Sequence, residues 1–221
     1  PNSVGVIDFG RNGSQLYLVM EYLRGRDLAR VTYEDGLLAF PRIVDVMCQV
    51  LAALGEAHHL GIIHRDLKPE NIVLEATRSG GDFVKVVDFG LAKMRETASN
   101  ITSPGFVCGT PDYMAPEQGR GDPIDARSDL YACGVILYQL LTGRLPFEAE
   151  SPTQVVLMHL SQQPPDMRKV APERNIPQPL IDVTLKALSK NADDRYKDAE
   201  DFIAALRDAL EPPERSSSQR H

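Results

Sequence analysis

Asp66, Lys68, Asn71 and Asp88 are the side chains whose types and spacing could do chemistry together. The first three lie within the eight residues His64–Asn71, and Asp88 comes 22 positions after Asp66. Carboxylate and amide oxygens are ligands that Mg²⁺ accepts, a carboxylate can take the proton of a hydroxyl, and a lysine balances negative charge. Taken singly, each also has an ordinary interpretation: Asp66 as a turn residue, Lys68 as a surface cation and Asn71 as a turn cap.

Three motifs occur in a fixed order: HRDLKPEN at 64–71, DFG at 88–90 and APE at 115–117. A single tripeptide would arise by chance in many proteins, but the ordered set resembles the catalytic domain of protein kinases. The resemblance extends from Val4 to about Leu210. It implies an α+β, protein-kinase-like fold, mainly the helical large lobe with two strands and the hinge of the small lobe. The implied activity is ATP-dependent phosphorylation of protein substrates.

The resemblance also implies a role for each motif residue. Asp66 would orient the substrate hydroxyl as its base, and Lys68 would place a positive charge near the γ-phosphate. Asn71 and Asp88 would hold Mg²⁺, with Mn²⁺ as a second candidate. Thr110 joins the catalytic set, because Gly109-Thr110-Pro111 together with Lys68 resembles serine/threonine rather than tyrosine kinases. The stretches at 116–118, 130–132 and 195–196 are similar to the bacterial, eukaryotic-like branch of the family.

Residues 20–23 resemble the gatekeeper and hinge that hold the adenine of ATP. Met20 would be the gatekeeper, and the backbone of Glu21 and Leu23 would meet the adenine edge. Asp27 stands where the family places a ribose contact, and Val73 matches the apolar floor of the adenine pocket.

Four further residues are similar to structural positions of the family. His64 would pack beneath the catalytic loop, and Asp129 would fix the backbone of that loop. Glu117 and Arg195 would form an ion pair that ties the end of the activation segment to the large lobe. The alternative for that pair is two separate surface charges.

Arg65 resembles the arginine of kinases whose activation segment is ordered by phosphorylation. A phosphothreonine carries charge and acceptor oxygens suited to a guanidinium group. Thr102 stands where bacterial relatives place a phosphorylated threonine, and Ser103 is the second candidate. The alternative is that these are simply loop hydroxyls.

Apolar residues at three- and four-residue intervals predict two long helices around the motifs. The first runs from Pro41 to Leu60. The second, from about Asp125 to Thr142, is apolar nearly all round and should be central and buried. Shorter helices are predicted at about 153–161, 178–189 and 198–210. His58 and His59 are interpreted as cations at the negative end of the first helix.

Short apolar runs predict strands at 4–9 and 16–20, and the Asn12-Gly13 pair between them indicates a hairpin turn. Further strands are predicted at 72–74 and 83–87. Two strands alone are not a stable sheet, so the hairpin either leans on the rest of the chain or lacks partner strands.

The sequence departs from the kinase pattern before residue 68. No lysine precedes Lys68, and no G-x-G-x-x-G loop precedes the first strand. We therefore expect a kinase fragment whose small lobe lacks its front. The predicted division is a small-lobe remnant at 1–20, a hinge at 21–27, the large lobe at 28–210 and a disordered tail at 211–221.

Composition excludes several other classes. The 221 residues carry a formal charge of −7, which argues against a nucleic-acid partner held through phosphates. No apolar stretch long enough to span a bilayer and no signal peptide is visible, so we expect a cytoplasmic location and no membrane contact for this chain, with a membrane segment after residue 221 left open. The three cysteines, at 48, 108 and 133, form no metal or disulfide pattern.

Proteins with serine or threonine acceptors are the expected partners, and a kinase homodimer is considered for the parent protein. Two other function classes remain open. One is a catalytically silent, kinase-like scaffold, which replacement of Asp66, Asn71 or Asp88 would favour. The other is a helical binding module that carries the motifs by accident.

Overall fold

The computed structural model describes residues 1–13, 15–78, 80–89 and 111–211. In these ranges the strands are β1 (Val6–Asn12), β2 (Gln15–Met20), β3 (Arg26–Asp27), β4 (Ile72–Ala76) and β5 (Asp82–Val86). The helices are α1 (Leu28–Asp35), α2 (Phe40–His59), α3 (Pro116–Arg120), α4 (Ala126–Thr142), α5 (Pro152–Ser161), α6 (Met167–Val170), α7 (Gln178–Ala187) and α8 (Ala199–Asp208). Short 3-10 turns lie at Pro69–Asn71, Pro111–Tyr113, Pro172–Arg174 and Ala192–Asp194. None of the described helices has the length and apolar character that crossing a bilayer requires.

Helix α4 is the centre of the core, as its sequence predicts. Fourteen of its 17 residues are buried, since a helix that is apolar all round must be covered on every side. Gly134 lets α7 approach closely, because a Cβ there would lie 2.8 Å from the Cβ of Ala187. From this central position α4 contacts other helices, among them α2 and α7.

Helix α2 packs against α4, α8 and β5. Its buried face contains Ile43, Val46, Met47, Val50, Leu51 and Leu54. The five helices predicted from periodicity are confirmed to within two residues at each end. Periodicity succeeds here because each of these helices buries a continuous apolar face.

Strands β3, β4 and β5 form an antiparallel sheet in that order. The start of the chain lies beside β5: Val86 N donates to Asn2 O at 2.7 Å, and Val4 N donates to Val86 O at 3.0 Å. The first strand therefore begins at Val6, two residues later than predicted. The residues before Val6 are hydrogen-bonded to β5 instead.

Strands β1 and β2 form the predicted hairpin. Asn12 pairs with Gln15, and Gly13 has a φ of 62°, the left-handed conformation that the turn requires. The hairpin leaves large apolar side chains in solvent, with Ile7, Phe9 and Leu16 each 70 % exposed or more.

Three short helices were not expected from the sequence: α1, α3 and α6. In α1 only Leu28 and Val31 are buried, so too few apolar residues repeat to give a period. Helices α3 and α6 have five and four residues, less than two turns each. The side chains of Asp27 and Asp166 cap α1 and α6 by accepting from backbone N–H groups.

Candidate active site

The segment 64–71 connects α2 to β4 and carries three of the predicted site residues. Lys68 Nζ lies 3.5 Å from Asp66 Oδ2, and both groups are accessible to solvent. The side-chain amide of Asn71 donates to the backbone oxygen of Asp66 at 2.7 Å. The fold therefore brings a carboxylate, an ammonium group and an amide together on one short loop.

Asp88 comes two residues after the end of β5, next to segment 64–71. Val87 N donates to Asn71 O at 2.9 Å, so the residue before Asp88 is hydrogen-bonded directly to segment 64–71. Asp88 is exposed, so its carboxylate is open to a ligand. Asp88 and Arg65 have positive φ values, 66° and 70°. Such conformations are costly for side-chain-bearing residues and are typical of functional sites.

The donor set suits a hard divalent cation. Asn71 uses its NH₂ group on Asp66, which leaves the amide oxygen, and Asp88 presents a carboxylate. Oxygen donors of these two kinds fit Mg²⁺, which takes most of its other ligands from water and phosphate. Among the described residues no group of three or more His, Cys, Asp or Glu side chains forms a self-sufficient metal cage.

His64 lies beneath the loop and is fully buried. Its Nε2 donates to Val87 O at 2.9 Å, and its ring lies 4.9 Å, centroid to centroid, from that of Phe89. The other ring nitrogen, Nδ1, has no hydrogen-bond partner among the described residues. His64 thus links segment 64–71 to the segment that carries Asp88.

Asp129, in the first turn of α4, holds the loop backbone from below. Its Oδ2 accepts from His64 N at 2.8 Å, and its Oδ1 accepts from Arg65 N at 2.9 Å. His58 Nε2 also lies 2.7 Å from Oδ2 and donates to it, because an ionised carboxylate can only accept. Both histidines lie in the last turn of α2, but the His58 side chain is bound to Asp129 whereas His59 is exposed.

Gln118 in α3 is a second residue that the sequence reasoning missed. Its Nε2 donates to Arg65 O at 2.9 Å, and its Oε1 accepts from Ala115 N at 3.0 Å. Both backbone groups of Arg65 are thus held, one by Asp129 and one by Gln118. The only sequence signal was its place directly after the APE motif.

The predicted hinge residues come directly after β2. Met20 ends β2 and is 37 % exposed. Glu21 N donates to Gly5 O at 2.9 Å, and its carboxylate binds Lys85 Nζ at 2.7 Å. These contacts leave the Glu21 carbonyl and the Leu23 backbone N–H without a hydrogen bond to another described residue. Both groups are therefore able to meet a ligand edge.

Asp27 in β3 and Val73 in β4 are paired neighbours on adjacent strands of the sheet. One carboxylate oxygen of Asp27 accepts from Arg30 N at 2.8 Å and so caps α1. Gly25 allows the hinge to pass close to β4, because a Cβ there would lie 2.2 Å from Leu74 O. Asp27 and Val73 thus lie on the two strands that adjoin the Pro69–Asn71 turn, whereas the Glu21 carboxylate is bound to Lys85 of β5.

Glu117 and Arg195 form a buried, two-pronged ion pair. The two N–O distances are both 2.8 Å, and Ser128 Oγ donates to the same carboxylate at 2.6 Å. Burial alone would raise the pKa of Glu117, but the donors on Arg195 and Ser128 outweigh it and lower the pKa. The two charges are therefore not separate surface charges.

Several predicted residues lie outside the described ranges: Thr102, Ser103 and Thr110, and all but the first residue of the predicted tail. A cleft of about 680 Å³ elsewhere is lined by residues that include Arg24, Arg26 and Arg42. It contains none of the predicted site residues. Two of its arginines, Arg26 and Arg42, bind carboxylates of the same chain.

Similarity to known proteins indicates the family to which this chain belongs. The model of the protein kinase domain matches residues 1–206. The chain is 49 % identical over 210 residues to the serine/threonine-protein kinase pkn3 of Myxococcus xanthus, covering 93 % of this chain and 38 % of the relative. It is 41 % identical over 212 residues to the serine/threonine-protein kinase PknB of Mycolicibacterium smegmatis, covering 93 % and 33 %. The chain thus spans only 33–38 % of the length of these relatives.

A solved structure agrees with these relatives. The crystal structure of the Mycobacterium tuberculosis PknI kinase domain superimposes with a TM-score of 0.73 at 26 % identity, covering 95 % of this chain and 72 % of that chain. The α+β, protein-kinase-like fold expected from the three motifs is confirmed. The chain belongs to the protein kinase domain family.

Proposed function

We propose that this chain is the catalytic part of a serine/threonine kinase that transfers the γ-phosphate of ATP to proteins. The observation that carries the proposal is the contact of Lys68 and Asn71 with Asp66 on one loop, to which the residue before Asp88 is hydrogen-bonded. The named relatives, which are serine/threonine-protein kinases, support the choice of acceptor.

Each of the four residues has a separate task in the proposal. Asp66 accepts a hydrogen bond from the substrate hydroxyl and aims its oxygen at the phosphorus. Lys68, next to Asp66, offsets negative charge that develops on the transferred group. Asn71 and Asp88 would hold the divalent cation, which neutralises phosphate charge when bound. This chain's own contribution is positioning and electrostatics, the two effects on which phosphoryl transfer mainly depends.

ATP would lie between the hinge and β4 in this proposal. The Glu21 carbonyl and the Leu23 N–H would bind the adenine edge, with Met20 and Val73 as apolar neighbours. The Asp27 oxygen that does not cap α1 would accept from a ribose hydroxyl. A mixed apolar and backbone-polar lining is typical of nucleotide pockets.

The direct test is Asp66→Asn in the full-length protein. We expect phosphate transfer from ATP to a generic protein acceptor to fall by about a thousandfold or more, because the amide cannot take up the hydroxyl proton. Asp208→Asn, an exposed change at the end of α8, is the matched control and should leave transfer unaltered. Unchanged transfer by Asp66→Asn would refute the proposal.

We also propose that phosphorylation of Thr102, or else Ser103, regulates the enzyme through Arg65. The proposal draws on the fixed position of Arg65, whose backbone is held on both sides by Asp129 and Gln118. Mass spectrometry of the active full-length protein should find phosphate between residues 97 and 103. Thr102→Ala combined with Ser103→Ala should slow transfer; an equal rate, or no phosphate in that range, would count against the switch.

A further inference from the structure

His159 is a buried histidine in α5 that the proposed chemistry does not use. It is 1 % exposed, and both of its ring nitrogens have hydrogen-bond partners. Nδ1 lies 2.9 Å from the hydroxyl oxygen of Tyr131 in α4, and Nε2 lies 3.0 Å from the backbone oxygen of Asp112. His159 therefore connects two helices to the Pro111–Tyr113 turn.

The partners of His159 define its tautomer. A carbonyl oxygen can only accept, so Nε2 must carry the proton and donate it to Asp112 O. Nδ1 is then an acceptor and takes the Tyr131 hydroxyl proton. Lys190 Nζ lies 3.3 Å from the same hydroxyl oxygen and donates to it. The donors thus run in one direction, from Lys190 through Tyr131 and His159 to Asp112.

The charged groups around this chain of bonds keep His159 neutral. Burial and the nearby charge of Lys190 lower the pKa of His159 to about 4, although its bond to Asp112 O acts the other way. Burial raises the pKa of Tyr131, which keeps its hydroxyl protonated. Arg195 adds a second positive charge, 4.9 Å from the centroid of the Tyr131 ring. A neutral His159 with a fixed Nε2–H is the consistent state.

The Asp112 carbonyl belongs to a turn beside Thr110, which the resemblance to kinases places in the catalytic set. The Pro111–Tyr113 turn begins directly after Thr110 and ends two residues before the APE motif. Tyr113 donates its hydroxyl proton to Gln139 Oε1 in α4 at 2.8 Å, which anchors the end of the turn. His159 anchors its middle. The turn is thus held at two points between α4 and α5.

We propose that His159 is a positioning residue for the protein substrate, acting through the Asp112 carbonyl on the segment directly after Thr110. The inference rests on the proposed kinase function. It requires a hydrogen-bond donor at the position of Nε2. A side chain that only fills the space is not enough. Glutamine can place an amide nitrogen near that position, whereas asparagine reaches only as far as Nδ1.

The test compares His159→Asn with His159→Gln in the full-length protein. We expect His159→Asn to raise KM for a protein acceptor about tenfold, the effect of one lost buried hydrogen bond, with kcat and KM for ATP changed less than about twofold. His159→Gln should recover most of the loss. Tyr131→Phe removes the hydroxyl that fixes the tautomer but keeps the bond to Asp112, so it should give a smaller rise in KM.

Amide hydrogen exchange gives a readout that does not need activity. The Met114 amide, which donates to Pro111 O at 3.1 Å, should exchange faster in His159→Asn than in His159→Gln or in the exposed control His59→Asn. If His159→Asn fails to fold, Tyr131→Phe and His159→Gln are each compared with the wild-type protein, and that comparison decides whether His159 positions the substrate.

The outcomes separate the two proposals. An active wild-type enzyme with equal protein-substrate KM in all variants overturns the role of His159 alone. A wild-type protein that transfers no phosphate overturns the proposed function, and this inference with it. Equal losses in His159→Asn and His159→Gln would show a packing role and would also overturn the inference.

Discussion

Single residues of the site differ in how readily the sequence points to them. Asp66, Lys68, Asn71 and Asp88 could be named because their spacing is carried by short motifs. His58 could not, because its partner Asp129 lies 71 positions away and no local pattern encodes that contact. Its burial and its carboxylate partner appear only when α2 and α4 are packed together.

Replacing His58 should weaken the support of the loop. With His58→Phe the buried Asp129 carboxylate loses one of its three donors, and we expect the free energy of unfolding to fall by about 1–3 kcal/mol. Urea unfolding of the purified chain measures the change. His59→Phe, one position along on the exposed side, is the control and should cost less than about 0.5 kcal/mol. Equal effects of the two changes would contradict the role given to His58.

At the scale of elements, the sequence predicted the helices that bury a continuous apolar face and missed those that do not. Helices α2 and α4 were predicted nearly to the residue, because their apolar positions repeat over several turns. Helix α3 was missed, since its five residues are held by specific bonds: Glu117 to Arg195, and Gln118 to Arg65. Such elements are fixed by tertiary contacts rather than by their own pattern.

The ion pair that fixes α3 should be strongly coupled. Arg195→Leu leaves Glu117 buried with Ser128 as its remaining side-chain donor, and we expect a loss of about 3–5 kcal/mol in the free energy of unfolding. The double variant Glu117→Leu, Arg195→Leu should lose less than the two single losses added together. Chemical unfolding of the four proteins in this cycle measures the coupling. Strict additivity would mean that the two side chains do not stabilise each other.

At the scale of the whole molecule, the large apolar core and the exposed hairpin stand in contrast. Helices α1, α2, α4, α6, α7 and α8 share one core with β4 and β5, and the start of the chain lies along β5. The β1–β2 hairpin exposes Ile7, Phe9 and Leu16. The division at residues 20 and 27 stays a prediction.

This 221-residue chain by itself should bind Mg·ATP weakly and transfer little phosphate. Its sequence offers no lysine before Lys68 and no glycine-rich loop, so the phosphates lack charge-assisted contacts that position them. Calorimetric titration with Mg·ATP and an autophosphorylation assay of the purified chain provide the check. Robust autophosphorylation would show that the described site is sufficient.

The central claim is that the two aspartates of the site do different jobs, one on the hydroxyl and one on the cation. The most direct measurement records Mg²⁺-dependent ATP binding and phosphate transfer together, in the full-length protein and its Asp66→Asn and Asp88→Asn variants. We predict that Asp66→Asn keeps ATP binding within about threefold and loses transfer, while Asp88→Asn loses both. Phosphate transfer that survives either substitution, or ATP binding that Asp88→Asn leaves intact at every Mg²⁺ concentration, would contradict it.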